Sequence, residues 1–185
     1  MRHIVATLAV VGALLFSAGS TWADWDDGVA AYKRGDYVTA YQEFRPLAEQ
    51  GDAKTQFNLG IMYANGVGVT ENDIEAVNWY HKAAEQGYAD AQASLGFMFD
   101  NGEGVPVNDA QAVKWYRKAA VQGHADAQNN LGVMYSTGEG VPVNNVKAYM
   151  WWSLAMEQGY ENVATYLDII KKQMTPTQIA KAQAL

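Results

Sequence analysis

At 185 residues, with 49% hydrophobic and 12% aromatic residues, the chain has the size of one domain or a short repeat array and enough apolar surface for a core, which excludes a disordered acidic tail. Its net charge of −7 excludes the basic stripe that nucleic acid would need and gives no pull toward anionic membranes. With no Cys there is no disulfide framework, no cysteine nucleophile and no lipoprotein anchor.

Residues 1–23 are predicted to be an export signal. Arg2 and His3 precede an apolar run from Ile4 to Phe16, and Thr21 and Ala23 in the small-residue stretch SAGSTWA suit a cut before Asp24. The run is short for a membrane span; a retained N-terminal anchor is the alternative. The mature chain is expected to be exported, to the periplasm or beyond the cell, with no stable membrane anchor after cleavage.

From Gly51 onward the sequence repeats. Gly51, Gly87, Gly123 and Gly159 lie 36 residues apart, as do Gln56, Gln92 and Gln128, Leu59, Leu95 and Leu131, and Gly60, Gly96 and Gly132. The second half of each unit is in register too, through Ala76, Ala112 and Ala148, Trp79, Trp115 and Trp151, and Ala83, Ala119 and Ala155. Each unit divides into two helical patterns. Gln56, Leu59, Gly60 and Tyr63 share one face of the first, and NGVGV, NGEGV or TGEGV then breaks it. In the second, Ala76, Trp79, Tyr80, Ala83 and Ala84 form an amphipathic stripe, ended by Gly87, Gly123 and Gly159 as C′ glycines. Gly60, costly in a helix by about 1 kcal/mol, is predicted to face Ala and Trp positions of the second helix, where a missing side chain admits a close approach.

The pattern AxAQxxLGxMY…GxGV…AVxWYxKAAxQG resembles the Sel1-like repeat, a relative of the tetratricopeptide repeat. The resemblance covers units 52–87, 88–123 and 124–159. It implies an all-α fold, an α-solenoid of helix–turn–helix units. Residues 24–51 resemble a shorter tetratricopeptide-type hairpin, with Ala40, Phe44 and Ala48 in register but Glu43 where the Trp should be and Pro46 expected to kink its second helix. Residues 160–185 are expected to form C-terminal capping helices. In TPTQ, Thr175 is the N-cap, Pro176 opens the helix and Gln178 completes a capping box, with the helix running to about Leu185. The cap should cover Tyr149, Met150, Trp152 and Leu154.

Little in the chain points to catalysis. His81 aligns with Arg117 and Ser153, and His124 with Tyr88 and Tyr160, so both are expected to be surface histidines without the fixed partners that catalysis or metal binding requires. The GVGV and GEGV loops lack the Lys-Ser/Thr of a phosphate loop, and DNGEGVPVND lacks calcium-loop spacing. Asp90 and Asp126 fit the positive ends of helices. No catalytic residue, metal site or cofactor is predicted.

Binding is expected on the concave face, which in such superhelices is lined by the first helices. At about 100° per residue, three rows point away from the packing face: Lys54, Asp90 and Asp126; Asn58, Ser94 and Asn130; and Asn65, Asn101 and Thr137. The middle row is a ladder of amide and hydroxyl groups that suits an extended peptide or a flat protein surface, and equally suits a solvated helix face. Phe57, aligned with Ala93 and Asn129, packs against the N-terminal hairpin or serves as a binding hot spot. The expected function is a non-enzymatic, exported scaffold, adaptor or regulator that binds a protein partner. Alternatives drawn from the family resemblance are a periplasmic immunity protein that neutralises a secreted toxin and a hydrolase of cell-wall or β-lactam substrates. The latter is weakened by the missing cysteines of those relatives.

Overall fold

The computed structural model describes residues 24–184, which are helical throughout their regular elements, with no strand among them. The expected export signal lies outside the described residues. Four hairpins follow one another: α1 (Trp25–Lys33) with α2 (Tyr37–Glu49), α3 (Ala53–Asn65) with α4 (Asp73–Glu85), α5 (Ala89–Asn101) with α6 (Asp109–Ala120), and α7 (Ala125–Thr137) with α8 (Asn145–Glu157). A 3₁₀ turn (Glu161–Val163), α9 (Ala164–Lys172) and α10 (Pro176–Gln183) pack back on α8. Elsewhere each helix packs chiefly on its neighbours in sequence, so the chain is an α-solenoid. Helix α2 runs through Pro46, so the proline does not end it.

Local chemistry sets the boundaries. Asn72, Asn108 and Asn144 cap the second helices by accepting from the N3 backbone N–H, at 3.2, 3.1 and 3.0 Å. The first helices end at Gly66, Gly102 and Gly138, all left-handed. The second glycine of each loop has another task. A Cβ on Gly104 would stand 2.5 Å from the Asp73 carbonyl carbon, so the loop of one unit lies directly on the helix start of the unit before it. The TPTQ capping box forms as expected.

The helical glycines sit under aromatic rings. A Cβ on Gly96 would come within 2.6 Å of the Tyr116 ring, and Gly60 and Gly132 meet Tyr80 and Trp152 in the same way. The ring is therefore that of the Tyr80, Tyr116 and Trp152 column, not the Trp79 column expected from sequence. The N-terminal hairpin uses the same device, with Gly28 under Phe44. The Trp79 column faces backward instead. Trp79 joins the cluster of Ala40, Phe44 and Ala48, and Trp115 the cluster of Ala76, Tyr80 and Ala83. Fully burying a large apolar side chain is worth about 1.5–3 kcal/mol, and part of that from each of these rings is gained between units. Lys82 and Lys118 lie over Trp79 and Trp115, 3.8 and 3.9 Å from the ring centroids.

A polar relay joins successive units. Gln92, buried, donates to the Ala84 carbonyl at the end of α4 (3.0 Å) and accepts from Gln122 (2.8 Å). Gln56 with Ala48 and Gln86, and Gln128 with Ala120 and Gln158, repeat the arrangement. The last carbonyls of a helix lack i+4 partners, and here Ala48, Ala84 and Ala120 each accept from the glycine three residues on and from the glutamine of the next unit.

At the C-terminus, Trp152 stacks on Tyr166 of α9 with centroids 5.2 Å apart and donates to the Asn129 carbonyl. Tyr149 and Met150 pack against the same cluster. Leu154 does not. It is 37% exposed, because it occupies the position of Lys82 and Lys118 on the outer face, which the cap does not reach.

Candidate functional site: a groove over α3, α5 and α7

The first helices present i, i+4, i+7, i+11 positions to one side: Asp90, Ser94, Phe97 and Asn101 on α5, with their counterparts on α3 and α7. Over α5 these helices enclose a groove of about 650 Å³. Ala93, Ser94, Phe97 and Met98 belong to α5, Phe57, Ala64 and Asn65 to α3, and Asp126 and Asn130 to α7. The rings of Tyr80 and Tyr116 reach it from the second helices because Gly60 and Gly96 let them lie flat on the first. Phe97 is 46% exposed there.

The groove is acidic. Asp90, Glu103 and Asp126 line it, and among the described residues no Lys or Arg does. Tyr116 donates to Asp100 (3.3 Å). Burial pushes the Asp100 carboxyl above its usual range, against the effect of that hydrogen bond. Burial also pushes Tyr80 up to about 12, with Asp73 and Glu103 adding to it, and raises Tyr116 further in the same direction. Both phenols are thus neutral hydrogen-bonding groups at ordinary pH.

His124 is not a plain surface residue. Its Nδ1 accepts from the Ala127 backbone N–H at 3.3 Å and so caps α7. That leaves the imidazole proton on Nε2, which faces the Asp90 carboxylate at 3.5 Å, and the side chain is only 19% exposed. His81 is half exposed, edge-on to Trp115.

Of the nine residues predicted for binding, Asn65, Asp90, Ser94, Asp126 and Asn130 line the groove. Lys54 and Asn58 line a smaller depression of about 210 Å³ beside Trp25, where Lys54 lies 4.1 Å from the Trp25 ring centroid. Asn101 and Thr137 stand outside both, at helix C-termini, bonded to the Phe97 and Val133 carbonyls of their own helices. Phe57 packs on Tyr80 and Tyr88, with centroids 5.8 and 5.2 Å away, at the wall between groove and depression. Sequence reasoning missed Phe97, Tyr80, Tyr116, Glu103 and His124 as groove residues. The signal for Phe97 was its place seven residues after Asp90 and three after Ser94. Among the described residues no group of three or more His, Cys, Asp or Glu is placed to hold a metal, and no helix is long and apolar enough to cross a membrane.

The Sel1 repeat family profile matches residues 53–88, 89–124 and 125–160. The chain is a Sel1 repeat protein. It is 37% identical to a Sel1 repeat protein from Oxalobacter formigenes of known crystal structure, with a TM-score of 0.74, over 77% of this chain and 58% of that one. It is 47% identical to a protective antigen of uropathogenic Escherichia coli strains that displays the same fold, with a TM-score of 0.62, over 64% of this chain and 25% of that one. Over 53 residues it is 42% identical to an exopolysaccharide production negative regulator of Rhizobium leguminosarum bv. viciae and 43% identical to one of Rhizobium meliloti. That match is 29% of this Sel1 repeat protein and 20% of either regulator, so the chain spans about a fifth of the length of these curated relatives. Sel1 repeat proteins are protein-interaction scaffolds, and the family is typically non-catalytic.

Proposed function

We propose that this Sel1 repeat protein is an exported, non-enzymatic scaffold or regulator that holds a protein partner in the groove over α3, α5 and α7. The observation that carries the reading is Phe97, a large apolar side chain left 46% exposed inside a concavity among polar groups. Buried aromatic anchors within a polar rim are where binding energy concentrates in protein interfaces. The local likeness to negative regulators of exopolysaccharide production supports a regulatory use of such binding. The reading of residues 1–23 supports export.

The test is affinity capture from an envelope extract of the source organism. Parent protein, Phe97→Arg and the outer-face variant Lys118→Glu would run side by side, with eluates identified by mass spectrometry. A partner held by the parent and by Lys118→Glu but lost by Phe97→Arg is the expected result. A partner held equally by all three refutes the groove. Edman sequencing of the protein recovered from the extract checks export, with Asp24 as the expected first residue.

A further inference from the structure

We propose that the groove's occupant is a cationic segment of the partner with one bulky apolar side chain. The apolar side chain lies on Phe97 beside Tyr80 and Tyr116, and Lys or Arg residues on either side of it meet Asp90, Asp126 and Glu103. This rests on the groove being the docking site. It goes further by fixing the chemistry of what docks.

The argument is one of charge placed around an apolar floor. Among the described residues, three carboxylates line the groove and no Lys or Arg does. The lysines and arginines of the described residues lie outside the lining; Lys114, Arg117 and Lys118, for example, line a separate depression over α6 that shares no residue with the groove. His124, the one basic group that the described residues contribute to the lining, uses Nδ1 as a helix cap and turns Nε2 to Asp90, which leaves Asp126 and Glu103 uncompensated by it. A concave wall of one sign concentrates field and draws in ligands of the opposite sign. The floor is aromatic, so a guanidinium or ammonium also gains by lying across Phe97 or Tyr80. Ser94, one turn before Phe97, and Asn130, across the groove on α7, are placed to bond the segment's main chain. An acidic segment would set like charge against Asp90, Glu103 and Asp126, and a neutral one could offer them hydrogen-bond donors but no opposing charge.

The test uses short fluorescein-labelled peptides and anisotropy. One peptide has a central Trp flanked by lysines; its controls carry Glu in place of Lys, or Ala in place of Trp. The lysine peptide should bind and the glutamate peptide should not. Replacing Trp by Ala should weaken binding about two- to tenfold. Raising salt from about 0.1 M to about 1 M, which shortens the screening length from ~10 to ~3 Å, should weaken it strongly. Asp90→Asn, Glu103→Gln and Asp126→Asn should each cost about two- to fivefold and Lys118→Glu nothing, all at exposed positions that leave the circular dichroism unchanged. If the glutamate peptide binds as well and Phe97→Ala abolishes that binding, the charge inference falls and the groove stands. If the lysine peptide binds regardless of Phe97→Arg and of the three neutralised carboxylates, it docks elsewhere and the inference falls with the groove. If no peptide binds, the inference falls, and the captured partner's dependence on Phe97 decides the groove separately.

Discussion

Replacing Gly96 by alanine sets two opposed terms against each other. Alanine gains about 1 kcal/mol of helix propensity over glycine. Its Cβ would lie 2.6 Å from Tyr116 Cδ1, 2.8 Å from Cε1 and 3.0 Å from Cγ, well inside ordinary carbon contact. The ring has little room to retreat. Tyr116 is 1% exposed, it is bonded to Asp100, and its cluster includes Ala93 and Ala112. Overpacking of this kind costs about 1–3 kcal/mol, and with two ring carbons this close the upper end applies. The net is a destabilisation of about 2 kcal/mol, or a melting point lower by about 4–8 °C for a chain of this size. Thermal unfolding followed by circular dichroism measures it. In a Tyr116→Leu background the same change should turn neutral or stabilising, because only the propensity term is left. If Gly96→Ala stabilises the parent protein, the ring slides freely and the close-approach account of the repeated glycine is wrong.

Gln92→Leu should cost about 1 kcal/mol in urea unfolding, since it removes two hydrogen bonds between units while the Ala84 carbonyl keeps the Gly87 N–H and the exposed Gln122 amide keeps the Gly87 and Lys118 carbonyls. Stability should hold flat from neutral pH to about pH 9 and fall between pH 10 and 12. Tyr80 keeps its proton to about 12 when folded but only to about 10 when unfolded, so over that window the unfolded chain binds fewer protons. Alkaline difference absorbance beside circular dichroism checks this, and tyrosinate forming before unfolding would count against it. Leu154→Lys should be neutral or stabilising by up to about 1 kcal/mol, because it restores the lysine-over-tryptophan pairing of Lys82 and Lys118; loss of stability would mean that Leu154 is covered after all.

The fold was largely legible because the chain states it three times. Repeated Gln, Leu, Gly, Trp and Ala positions place the helices, and the loop glycines place their ends. Less legible was which aromatic lies on Gly60. Trp79 and Tyr80 are adjacent on one helical stripe, and only the three-dimensional turn of α4 separates the ring that faces its own hairpin from the ring that faces the preceding one. The groove was half legible. Polar residues on the outer side of a first helix were easy to nominate, but Phe97 resembled core because apolar residues at helical spacing usually are. Lys54 and Asn58 went elsewhere because Trp25, from a hairpin outside the repeat pattern, offers Lys54 a ring. His124 had a cap to form that its tyrosine counterparts do not make through their side chains.

Because each unit offers the next the same carbonyl and accepts the same glutamine, the junctions are interchangeable parts. Excising residues 88–123 would join Gly87 to His124 and bring Gln128 to the Ala84 carbonyl that Gln92 now holds, with Gly140 arriving over Asp73. Such a shortened chain keeps every rule of its own assembly while discarding Phe97 and the carboxylates of α5. Length can therefore change in whole 36-residue steps without renegotiating the architecture. What one descendant recognises can differ from what its sibling recognises while both inherit the same frame.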